Sequence, residues 1–170
     1  MVNEETLDLI KHFEGLHDGD LTKVGLQPKM CPAGIWTIGW GHALRSQDGK
    51  TFLRGAADKA EAYKRYDNLT EEDADNLLLS DLHYYELEVD RMVKVILTEN
   101  QRGALVSFAY NVGLGNLGSS TLLVMVNKGL FQRASEEFLK WDKATVNGKK
   151  VSLLGLQKRR NAEQALFLKN

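Results

Sequence analysis

From Thr70 onward the chain places apolar side chains at Leu78, Leu82, Tyr85, Val89, Met92 and Val93, three or four positions apart. That spacing holds one apolar face along a helix of about six turns. Thr70 with Asp73 resembles a capping box, in which each side chain satisfies a backbone donor at the helix start. The spacing predicts a helix over about 71–93, long for 170 residues. A helix of that length reads as a spine between two lobes.

The segments on either side differ in character. Asn3 is a plausible N-cap, and Leu7, Ile10 and Phe13 follow at helical spacing, so a helix is expected over about 4–14 with Gly15 ending it. Residues 16–30 are polar and turn-rich. Cys31-Pro32-Ala33-Gly34 suits a tight turn, and Trp36, Ile38 and Trp40 then alternate with Thr37 and Gly39. A small hairpin or three-stranded sheet is expected between about 16 and 55, with Asp48-Gly49 as a further turn. Residues 55–68 carry no readable period. Beyond the spine, Thr98 with Gln101 repeats the capping signature and opens a helix to about Val112, broken by Gly113, Gly115 and Gly118. Helices follow near 120–127, 131–141 and from Gly155-Leu156 to about Leu168, with Asn147-Gly148 as a turn. The expectation is an α+β fold in one domain: an N-terminal lobe over about 1–69 with a short antiparallel sheet, a connecting helix over about 70–93, and an all-helical C-terminal lobe over about 94–170.

Composition narrows the chemistry. The single cysteine excludes an internal disulfide. There is no apolar run long enough to span a bilayer and no signal-peptide pattern, so synthesis and storage in a cytosol are expected. Residues 1–90 carry 18 Asp/Glu against 9 Lys/Arg, and residues 91–170 carry 5 against 13, a balance of −9 followed by +8. A basic second half suits a polyanion, though solvated helix faces give the same count. No phosphate-cradling glycine loop and no HExxH motif occur. Cys31 and His42 are too few for a metal site, and Pro32 removes the adjacent N–H that would activate a nucleophilic thiol.

What remains is an acid followed by a thiol and a hydroxyl. Glu14 falls at the C-terminal end of the first helix, where the macrodipole favours the protonated form that a general acid must supply. A proton donor facing a second group is the logic of glycoside hydrolysis. Phe13-Glu14-Gly15 and the run from Cys31 through Trp36-Thr37-Ile38-Gly39-Trp40-Gly41-His42 resemble the phage-type lysozymes (endolysins) of glycoside hydrolase family 24. So do Leu69-Thr70-Glu71-Glu72-Asp73-Ala74, Leu97 to Gln101, Leu105 to Gly113, Ser119 to Leu123, and Gly155 to Glu163.

The resemblance implies Glu14 as general acid, Cys31 in the second catalytic position, and Thr37 orienting the attacking water or supporting that second group. It implies for His42 a place beside the substrate as a hydrogen-bonding brace. It implies sugar contacts for Tyr110, Asn111, Ser120 and Thr121, although helical spacing suits core packing of Tyr110 equally well. The family separates its two groups by about eight residues, whereas sixteen lie between Glu14 and Cys31. An insertion around His17–Met30 accounts for the difference and makes Asp18 or Asp20 an alternative second carboxylate. Arg159 or Arg160 is positioned to reach back to Glu14. The implied substrate is bacterial peptidoglycan, cut at the β-1,4 bond between N-acetylmuramic acid and N-acetylglucosamine in a cleft between the lobes. A lytic transglycosylase or a non-catalytic cell-wall-binding module are the alternatives. No cofactor, metal, nucleic acid or stable membrane insertion is expected; a monomer held in the host cytoplasm and released through a holin-type pore is.

Overall fold

A computed structural model describes residues 1–170 and divides the chain into two compact units, Glu14–Asp81 and Met1–Phe13 with Leu82–Asn170. The architecture is α+β, as the sequence implies. The spine is helix α3 (Glu71–Met92), with α1 (Glu4–Glu14) and α2 (Lys59–Tyr66) before it. Reciprocal bonds fix the start of α3: Asp73 N–H donates to Thr70 Oγ1 at 3.1 Å, and Thr70 N–H donates to Asp73 Oδ2 at 2.8 Å. Asn3 caps α1 with its side chain alone, Oδ1 accepting from Thr6 N–H at 3.0 Å.

In the unit Glu14–Asp81, strands β1 (Lys29–Met30), β2 (Trp36–Ile38) and β3 (His42–Ala43) form an antiparallel sheet in that order. Trp36 and Ile38 point into a core with Leu26, Leu44, Leu53, Ala62 and Ala74, against which Trp40 packs. The expected alternation along β2 is therefore real, although Thr37 on the opposite face is buried too. Gly39, at φ 58°, lets the sheet touch α3, since a Cβ there would stand 2.7 Å from that of Ala74. Helix α2 lies within the stretch that showed no period. It buries only Ala62, so no apolar stripe exists for the sequence to display.

The unit formed by Met1–Phe13 and Leu82–Asn170 is built around α4 (Glu99–Val112), which buries every residue from Gly103 to Ala109. Its capping box between Thr98 and Gln101 is complete. Around it stand α5 (Leu114–Gly118), α6 (Thr121–Asn127), α7 (Phe131–Phe138) and α8 (Leu154–Leu168). Gly113 separates α4 from α5 at φ 94°, but Gly115 and Gly118 lie inside α5 rather than breaking a helix. Phe108 meets the rings of Phe138 and Trp141 edge-on, each with centroids 5.4 Å apart.

The all-helical expectation for residues 94–170 requires a correction. Strands β4 (Lys143–Val146) and β5 (Lys149–Ser152) form an antiparallel hairpin. Asn147 and Gly148, at φ 48° and 75°, are its two-residue loop, the paired positive φ of a type I′ turn. The turn was legible; the strands flanking it are short, lysine-rich and exposed, which hides their alternation.

A Cβ at Gly103 would overlap Thr6, with Thr6 Cβ 3.0 Å and Cγ2 3.1 Å away. Alanine gains about 1 kcal/mol in helix propensity, whereas overpacking a closed contact costs about 1–3 kcal/mol. Gly103→Ala is therefore expected to lower the urea midpoint, and an unchanged or raised midpoint would contradict the close packing of α1 on α4. Arg102 grips Asp90 with both ends of its fork, Nε to Oδ1 at 2.7 Å and a terminal nitrogen to Oδ2 at 2.8 Å. These bonds hold the Asp90 carboxyl below its ordinary 3.8. Because the folded value is depressed, the stabilisation is full above the unfolded value and is lost as pH falls through the folded one. Thermal midpoints of Asp90→Asn should accordingly fall less steeply than those of the parent below about pH 4.

Candidate active site

Glu14 is the last residue of α1, and Gly15 ends that helix at φ 69°. The Glu14 side chain is half-buried, and its carboxylate lies beside Gly41. A Cβ built at Gly41 would stand 3.2 Å from Glu14 Oε2, and Gly41 itself has φ 89°. Glycine at this position thus serves both the backbone conformation and the approach of the carboxylate.

Thr37 occupies the centre of the sheet, opposite Lys29 on one side and Ala43 on the other. It is buried, and its hydroxyl donates to the Lys29 carbonyl at 3.0 Å. Cys31 directly follows β1. Its N–H donates to the Ile35 carbonyl and its carbonyl accepts from Gly34, both at 2.8 Å, which closes the Cys-Pro-Ala-Gly turn with Gly34 at φ 76°. Since Lys29 faces Thr37 and side chains alternate, Cys31 shares the face of Thr37. The thiol is free and half-buried.

The inserted loop is folded by its own carboxylates. Asp18 Oδ1 accepts from Asp20 N–H at 3.0 Å and Gln27 N–H at 3.1 Å, and Gly19 N–H donates to the Gln27 carbonyl at 2.9 Å. Asp20 Oδ1 accepts the hydroxyl and the N–H of Thr22 at 2.6 and 3.1 Å, which lowers its carboxyl from the ordinary value. Both acids are thereby engaged in closing the loop.

His42 has a structural setting. It lies opposite Ile38, on the core-side face of the sheet, and its Nδ1 is 2.8 Å from Asp81 Oδ2 on α3. Trp40 Nε1 likewise donates to Asp75 on α3 at 2.6 Å. The bracing implied for His42 is therefore directed at α3. Asp75 and Asp81 were missed in the sequence, because α3 carries many acids and nothing in their spacing sets these two apart.

In the other unit, Tyr110 is half-buried and its ring packs edge-on against Tyr85 with centroids 5.2 Å apart. Asn111 is exposed and its Oδ1 accepts from Arg160 at 2.9 Å. Ser120 is buried as the N-cap of α6: its hydroxyl accepts from Leu123 N–H at 3.1 Å and donates to the Leu117 carbonyl at 2.7 Å. The hydroxyl is thus committed to the end of α5 and to the start of α6. Thr121, the first residue of α6, is exposed.

Arg159 and Arg160 converge on Glu163, a carboxylate the sequence reading passed over. Arg159 Nε lies 3.1 Å from Oε1 and Arg160 Nε 2.9 Å from Oε2, while Ser107 donates its hydroxyl to Oε1 at 2.7 Å. Burial pushes the Glu163 carboxyl upward, against the opposing pull of Arg160, Arg159 and the Ser107 hydroxyl.

Comparison with known proteins gives a consistent answer. The phage lysozyme family model matches residues 11–163. The endolysin of Acyrthosiphon pisum secondary endosymbiont phage 1 is 38% identical over 98% of this chain and 97% of its own length. That of Bacillus phage B103 is 39% identical over 98% of this chain, which spans only 54% of that longer protein. Among solved structures, the muramidase domain of SpmX from Asticaccaulis excentricus superposes with a TM-score of 0.79 at 34% identity, covering 100% of this chain and 99% of its own. With the family model spanning nearly the whole sequence and a full-length relative beside it, this chain belongs to the phage lysozyme family.

Proposed function

We propose that the chain hydrolyses the β-1,4 bond between N-acetylmuramic acid and N-acetylglucosamine in bacterial peptidoglycan. The observation that carries this reading is the Glu14 carboxylate, half-buried against Gly41, in the same compact unit as the shared Cys31–Thr37 sheet face. Family membership supports the reaction class, and relatives known as an endolysin and a muramidase support the substrate.

In this mechanism the protonated Glu14 donates its proton to the glycosidic oxygen as the bond to the sugar breaks. The bond from the anomeric carbon breaks with its electron pair passing to the leaving oxygen, and positive charge develops on the ring. Water attacks that anomeric carbon, and the proton the water loses goes to solvent, from which Glu14 is reprotonated. Thr37 presents hydroxyl lone pairs for that water, its own proton being held by the Lys29 carbonyl. Cys31 is the second group, because Asp18 and Asp20 are engaged in their loop. The enzyme acts as a monomer, stored in the host cytoplasm and released to the wall through a holin-type pore. No helix is long and apolar enough to cross a membrane.

Product mass tests the reaction. Purified peptidoglycan should yield fragments one water heavier than the cleaved bond alone provides; anhydro products would identify a lytic transglycosylase instead. Cys31→Ala is expected to lower turnover by about 10²-fold, with Cys31→Ser retaining more. Full activity in both variants would remove Cys31 from the mechanism and return Asp18 and Asp20 to consideration.

A further inference from the structure

We propose that the β4–β5 hairpin docks the protein on an anionic lipid surface. Its register places Lys143, Thr145, Lys150 and Ser152 on one face and Ala144, Val146, Lys149 and Val151 on the other, with Leu153 next in the alternation. The second face sets Lys149 among apolar side chains that stand in solvent: Val146 and Val151 are each 44% exposed, Leu153 37%, and the adjoining Leu154 65%. The only acid between residues 141 and 158 is Asp142. It bonds Ser152, whose hydroxyl also accepts from Gln157 at 2.8 Å, so that its charge is tied to the base of the hairpin. Lys149, Lys150 and Lys158 are exposed and enter no ion pair.

Lysines along a short exposed ribbon deter edge-to-edge pairing, and that alone would explain the charge. It does not explain four exposed branched apolar side chains beside them. A phosphate-bearing sugar polymer would neutralise the lysines and leave those side chains in water. The interface of an anionic bilayer accommodates both, with headgroup phosphates meeting the ammonium groups and the acyl boundary receiving the valines and leucines. The local +3 balance of residues 141–158 (Lys143, Lys149, Lys150 and Lys158 against Asp142, before Arg159) supplies the charge complementarity. The inference is independent of the hydrolytic reading, since lipid binding is measured without substrate.

The full chain would be sedimented with vesicles of phosphatidylglycerol and phosphatidylcholine, and with phosphatidylcholine alone. Binding is expected only to the anionic vesicles and should weaken as salt rises. Lys149→Glu with Lys150→Glu should reduce partitioning at least about 25-fold, and Val146→Ser with Val151→Ser about tenfold. Both double variants should keep the parent's circular dichroism, thermal midpoint and activity on purified peptidoglycan, so that lost binding is not lost folding. Three results would overturn the proposal. One is no preference for anionic vesicles. Another is full binding by the valine variant together with competition by soluble poly(glycerol phosphate). The third is a concentration-dependent dimer that the valine variant abolishes.

Discussion

Glu14→Gln is expected to reduce clearing of purified peptidoglycan by about 10²–10⁴-fold, the range that a positioned general acid contributes. The substitution preserves the shape of the side chain and removes the transferable proton along with the carboxylate charge. The surrounding geometry makes it a clean test. Glu14 is fixed by the end of α1 and the left-handed turn at Gly15, and its carboxylate abuts Gly41, where no side chain intervenes. An amide fits the same space, and the variant's circular dichroism should match the parent's, so that lost clearing is not lost folding. Equal clearing by parent and variant would remove Glu14 from the mechanism, and no clearing by either would leave a wall-binding module in place of the enzyme.

The second large effect concerns stability. Glu163→Gln is expected to cost about 3–5 kcal/mol, the range seen when one member of a buried ionic cluster is removed. Glu163 and Arg160 are fully buried and Arg159 nearly so, and a single carboxylate serves both guanidinium groups and the Ser107 hydroxyl. Without its charge, two cations face each other in the interior with their shared counter-ion gone. For a chain of this size the loss corresponds to a drop in thermal midpoint on the order of 10 °C. Urea denaturation provides the measurement. A change below about 1 kcal/mol would refute the role of Glu163 as the counter-ion of the two arginines.

The parts of this protein legible in the sequence are those with a local cause. Helix α3 declares itself through its period and the Thr70–Asp73 box, α1 through Asn3 and Gly15, and α4 through Thr98 and Gln101. The Cys31–Gly34 turn and the inward face of β2 are equally local, since both follow from residue type at fixed spacing. Helix α2 was illegible because it buries a single alanine, and the β4–β5 strands because both faces are exposed.

The candidate site divides along the same line. Residue types and spacing singled out Glu14, Cys31 and Thr37, because proton donors, thiols and hydroxyls beside glycine turns are visible as letters. Tertiary structure decided what those letters cannot carry: that Gly41 is the neighbour of the Glu14 carboxylate, that His42 is bound by Asp81, and that Ser120 caps its own helix. It also decided that Asp18 and Asp20 close their loop and that Arg159 and Arg160 share Glu163. Each of the contacts made by Gly41, His42 and the two arginines depends on a partner that chain distance does not announce, or on a choice among several possible partners. Hydrogen bonds and ion pairs are short-ranged and directional, so that choice is made only when the fold brings the groups within about 3 Å.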